Sequence, residues 1–192
     1  MEHRRHRGAT ASQLTGQTRL VATEHERCDA CGFDGGTFGD ADLLEALRGL
    51  GDRWRHELGA AGASLRTRPA PGTWSAIEYA AHSRDITELH VYGVEQALTG
   101  GEPVYPPIDA DRLIEDAATG YGDADPDEVC DSLDGAARRL GDLAETAGVD
   151  TWDRGITVGA TRSDVRRLLE HALHDSVHHL DDVARGLAIL DQ

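Results

Sequence analysis

The sequence predicts an all-α protein built as a four-helix bundle with one or two longer crossings. Three observations lead there. Ala and Leu together number 46 of 192 residues against 16 for Ile and Val, so helix formers dominate and strand formers are scarce. Four long stretches repeat apolar residues at spacings of three and four, the period of one helix face. Caps and breakers stand at the ends of those stretches. The length fits one domain, and 39% apolar residues suffice for a core.

Residues 1–39 read as an irregular N-terminal tail, disordered in part, that carries a C-x-x-C knuckle. Its first 20 residues hold four Arg and one Glu, lack the apolar stretch of a signal peptide, and are expected to be dispensable for folding. Residues 40–192 read as the bundle. The first helix begins after Asp40 or Asp42 and carries the stripe Leu43, Leu47, Leu50, Trp54 and Leu58. Gly59, Gly62 and the Pro69–Gly72 stretch end it. The second starts at Ser75, where Ser75-Ala76-Ile77-Glu78 forms a capping box, and stops at Gly100-Gly101. A short helix is expected over 109–119. Asp125-Pro126-Asp127-Glu128 opens the third long helix as N-cap, N1 proline and acidic first turn. Thr161-Arg162-Ser163-Asp164 caps the last helix, which runs to about Leu190.

Composition excludes several functions. The net charge of −16 repels nucleic acid, whose phosphates need Lys or Arg. No uncharged run is long enough to span a membrane. Three Cys do not make a disulfide framework, and the expected compartment is the cytoplasm. H-E-x-x-H, Glu-x-x-His, P-loop and G-x-S-x-G motifs are all absent.

The chemistry concentrates in the last helix. Its segment HALHDSVHHLDD holds four of the ten His, at 171, 174, 178 and 179. His174 and His178 are four apart, so their rings project from one face and can share a metal ion. They flank the stripe of Leu169, Leu173, Leu180 and Leu187. A third ligand is needed, and His82 is the best candidate, because Tyr79, Ile86 and Leu89 share its face and turn it inward. Glu78 and Asp175 are candidates to orient a ligand or move a proton. His171 is a spare ligand, whereas His179 and His90 are expected to face solvent.

GTWSAIEYAAH, followed some 90 residues later by HDSVHHLDD, resembles the DinB/YfiT-like superfamily of metal-binding four-helix bundles. In that family a Trp-Ser start introduces the second helix, whose His joins an H-x-x-x-H pair on the last. The matching positions are Trp74, Ser75, His82, His174 and His178, and Asp181 stands where members often carry Gln, three residues after the last ligand. The resemblance covers roughly residues 40–190. It implies an up-down-down-up bundle, often a homodimer, that binds zinc, nickel or a similar divalent ion. It also implies a small-molecule substrate and a transferase using a low-molecular-weight thiol such as mycothiol or bacillithiol on an electrophile. The alternatives are a metal-dependent hydrolase on the same scaffold and a non-catalytic metal-binding stress or sensor protein. An enzyme needs an open coordination position; a structural site is closed by a fourth protein ligand.

Upstream, Cys28 and Cys31 form the C-x-x-C knuckle, with Gly32 to permit the turn. A second C-x-x-C is missing. His25 is a candidate third ligand and Cys130 a distant fourth. The pair reads as a zinc knuckle, a redox pair or two plain thiols. Cys130, beside Val129, reads as a packing residue.

Overall fold

The Leu stripe of the first stretch forms helix as spaced, but in two pieces, α1 (Asp40–Arg48) and α2 (Leu50–Ala61). Gly49 is the joint: it keeps near-helical dihedrals, and its N–H bonds back to the Glu45 carbonyl. Leu43, Leu47, Leu50, Trp54 and Leu58 are all buried. The protein is described by a computed structural model for residues 24–192, so the expectation for the first 20 residues lies outside the described chain.

Helix α3 (Ala76–Leu98) starts at Ser75, whose N–H and hydroxyl both donate to the Glu78 carboxylate at 2.8 and 2.7 Å. The short helix α4 (Ala110–Ala118) follows, capped by Asp109. Helix α5 (Pro126–Ala147) begins as read, with Asp125 accepting from the N–H groups of Asp127 and Glu128. It buries Val129, Cys130, Leu133, Ala136 and Leu140. Helix α6 (Val165–Leu190) is capped by Asp164, which accepts from the Arg167 N–H at 2.8 Å. Such a cap contributes about 1 kcal/mol.

Helix α3 packs against α5 and α6, and the α1–α2 segment covers the other sides of the same two helices. The first and second long helices, and the third and fourth, therefore lie diagonally, while α3 and α5 are direct neighbours, as the up-down-down-up order allows. Short strands, absent from the sequence expectation, close the connections. β1 (Arg27–Cys28) and β2 (Phe33–Asp34) make an antiparallel hairpin where an irregular tail was expected. β3 (Val104–Tyr105), β4 (Gly155–Val158) and β5 (Thr161–Asp164) form a second sheet, with β3 parallel to β4 and β5 antiparallel. Thr161–Ser163 thus belong to a strand, and Asp164 alone supplies the cap.

The N-terminal hairpin is held on α6 by a buried carboxylate. Glu170 is fully buried and accepts from the Glu26 N–H at 2.8 Å, sits 2.7 Å from His25 Nδ1, and pairs with Arg166. Arg166 also donates to the Gly35 and Phe38 carbonyls and to Asp40. A Cβ at position 35 would stand 2.4 Å from the Glu170 carboxylate, so only glycine allows this approach. Among the described residues, no helix is long and apolar enough to cross a membrane.

Candidate metal centre

The structure sorts the histidines differently from the sequence reading. His82 is buried in α3, as expected, although Leu89 on the supposed inward face is half exposed. The ring of His82 meets Asp175 and His179 of α6, not His174 and His178. His82 Nε2 lies 3.5 Å from Asp175 Oδ1, and His179 Nε2 lies 3.6 Å from the same oxygen. Ligand atoms about 2.1 Å from one tetrahedral ion stand roughly 3.4 Å apart, so these spacings fit a shared ion. The reason for the change is register. Asp175 and His179 are also four apart, one residue further along α6, which turns their pair about 100° around the helix toward α3.

Several contacts orient this group. His179 Nδ1 lies 2.9 Å from Asp182 Oδ2, which fixes the proton on Nδ1 and leaves Nε2 as the ligand atom. Trp74 packs on His82 with ring centroids 5.2 Å apart, and Tyr79 on His179 at 5.0 Å. Burial pushes the His179 pKa down, against the pull of Asp175 and Asp182. Burial alone would raise the Asp175 pKa, but His82 and His179 outweigh it and hold the carboxylate below its ordinary range. A neutral imidazole and an ionised carboxylate are the forms that bind a cation. The residues present therefore fit a divalent metal.

Four expectations change here. His179 does not face solvent; its side chain is only 17% exposed. His90 is buried too, with Nδ1 2.7 Å from the Ile86 carbonyl and its ring stacked on His171. Glu78 is spent as a cap and as the partner of Arg68, with Arg68 Nε donating at 2.9 Å, so it has no oxygen free for proton transfer. Asp175 belongs to the site, as a candidate ligand rather than a proton carrier.

His174 and His178 instead face the N-terminal hairpin, where they meet Cys28 and Cys31. Cys28 Sγ lies 3.7 Å from His178 Nδ1. The Cys31 N–H, and then His174, pull the Cys28 thiol down to about 6, while burial pushes Cys31 up. His174 Nδ1 is 3.0 Å from Glu26 Oε1 but off-axis, so neither of its buried ring nitrogens makes a hydrogen bond. His25 is engaged by Glu170 and Cys130 is buried in α5; neither joins this group. His171 pairs with Glu26 at 3.2 Å.

Fold and site together define a helical bundle with a histidine–carboxylate cluster suited to a divalent ion. The DinB superfamily pattern matches residues 40–183, and the chain belongs to that superfamily. Its fold is similar to that of YfiT from Bacillus subtilis, described as a probable metal-dependent hydrolase with an unusual four-helix bundle topology. The TM-score is 0.68 at 16% identity, over 88% of this chain and 94% of that one. A comparison with curated protein sequences finds no match.

Proposed function

We propose that the protein is a metal-dependent enzyme in which His82, Asp175 and His179 hold a divalent ion, zinc or nickel, beside a position free for a small nucleophile. The nucleophile is the thiol of a low-molecular-weight cofactor of the mycothiol or bacillithiol type, transferred to a small electrophile. The ligand count carries the reading. Two imidazoles and one carboxylate converge, and no fourth protein ligand joins them among the described residues. That is the arrangement of an open site. A bound divalent ion supplies a thiolate, or a hydroxide, at neutral pH.

The chain's own residues set the conditions. Asp182 keeps the Nδ1 proton of His179 and so aims Nε2 inward. Asp175 offsets one unit of cation charge, so a bound thiolate would leave the site neutral. Trp74 covers one side of His82, with Tyr121 behind it at a ring distance of 6.0 Å, and both limit water. A cytoplasmic setting, where small thiols stay reduced, suits this chemistry.

A hydrolase is the second reading, favoured by the fold likeness to YfiT. One preparation tests both. Metal content is measured first; then thiol consumption is screened over several small thiols and electrophiles, and ester and amide hydrolysis without thiol. Thiol-dependent turnover that disappears in His82→Ala supports the transferase. Turnover without thiol supports the hydrolase. Bound metal with neither activity would leave a non-catalytic metal binder and overturn the proposal.

A further inference from the structure

We propose that Cys28, Cys31, His174 and His178 form a second metal site, closed and selective for zinc, that pins the N-terminal hairpin to α6. The site does not depend on the reading of the open centre; only the total zinc count in its test includes that centre. The four ligand atoms lie within 4.8 Å of one another. The 3.7 Å from Cys28 Sγ to His178 Nδ1 compares with roughly 3.6 Å across a tetrahedral zinc with ordinary Zn–S and Zn–N bonds.

Local structure presents each ligand. Cys28 ends β1, and Cys31 sits in the turn before β2, where Gly32 takes the positive φ of 73° that closes the knuckle. His174 and His178 are one turn apart on α6. Phe33 stacks on the His174 ring at 5.1 Å and sets its plane. His178 and His179 are neighbours in sequence with rings at 89°; both approach Asp182, but His178 Nδ1 faces Cys28 while His179 Nε2 faces Asp175.

Three further observations point to a ligand. Both ring nitrogens of His174 are buried and make no hydrogen bond, a state that native proteins rarely leave uncompensated, and Nδ1 has only the off-axis Glu26 carboxylate at 3.0 Å. All three cysteines are free thiols, so Cys28 and Cys31 are available. And strands of two residues are too short to hold a hairpin by themselves. On binding, two thiols release their protons to solvent, and two thiolates with two neutral imidazoles balance a divalent charge. Thiolate ligands favour zinc over magnesium, calcium or manganese. With four protein ligands no position remains for substrate, so the site's work is structural.

Cobalt(II) reports on the site, since thiolate-to-cobalt charge transfer in the near ultraviolet arises only where sulfur ligates. The full chain is reduced, stripped with chelator and titrated with cobalt, then with zinc. We expect the charge-transfer band, its displacement by zinc, and two zinc ions per chain. Cys28→Ser with Cys31→Ser should abolish the band and leave one zinc. His174→Ala, which keeps both thiols, should weaken cobalt binding at the band at least tenfold. His82→Ala should leave the band intact, and circular dichroism should confirm helix in every variant. A wild-type chain without the band, a band unaffected by His174→Ala and His178→Ala, or isolation of Cys28 and Cys31 as a disulfide that cobalt cannot load after reduction would overturn the site.

Discussion

His179 Nδ1 lies 2.9 Å from Asp182 Oδ2, while its Nε2 faces Asp175 Oδ1 at 3.6 Å. The carboxylate on one side therefore decides which nitrogen is offered on the other. Asp182→Ala should weaken metal binding at the open centre by about 10–100-fold with α6 intact. Competition with a chromogenic chelator measures this. An unchanged affinity would mean that His179 needs no such partner.

The ligand assignment makes a sharper prediction. His82→Ala, Asp175→Ala and His179→Ala should each remove one metal equivalent, because two remaining ligands cannot hold the ion. His178→Ala should leave that equivalent in place. Metal analysis after desalting distinguishes them. If His178→Ala empties the open centre and His179→Ala does not, the grouping drawn from the sequence was right after all.

Much of this was legible in advance, and the errors have physical causes. The stripes Leu43–Leu58 and Val129–Leu140 define buried faces because helix period and burial coincide there. The capping box at Ser75 and the inward His82 follow from local rules. The pairing on α6 does not. His174 and His178 form the evident i, i+4 imidazole pair, but Asp175 and His179 have the same spacing with a carboxylate in place of one ring. Only the rotation of α6 against α3 chooses between them, and a single helix does not carry that information. With His179 as ligand, the residue three positions on is Asp182, which is where the orienting carboxylate is found. Strands of two to four residues, such as β3 and β5, are too short to leave a periodic signal.

Glu170 should be the most sensitive polar residue outside the metal clusters. Burial works to raise its pKa, but Arg166, the Glu26 N–H and His25 outweigh it and hold the carboxylate ionised. Glu170→Ala would strip Arg166, only 17% exposed, of its buried acid, leaving Asp40 alone, and would orphan the buried Glu26 N–H. A loss of about 3–5 kcal/mol is expected. Chemical denaturation measures it, and a loss below about 1 kcal/mol would show that the hairpin is held elsewhere.

The last prediction concerns acid. Burial, and then the charge of the stacked His171, pull the His90 pKa from its ordinary 6.5 down to about 4, although Asp175 and Glu26 favour its protonated form. Its Nδ1 meets the Ile86 carbonyl, so the neutral ring donates there. The folded chain thus refuses a proton that the unfolded chain accepts between pH 6.5 and 4. Stability from this residue is complete above pH 6.5 and falls as pH drops through that window, by about 3 kcal/mol at its foot. His90→Gln keeps a donor near Ile86 but cannot titrate. Compared by denaturant unfolding after chelation, so that metal release adds nothing, the variant should lose less stability than wild type between pH 6.5 and 4. Parallel pH profiles for the two proteins would show that His90 is protonated in the folded state at no cost, and that its burial is not what sets the acid limit.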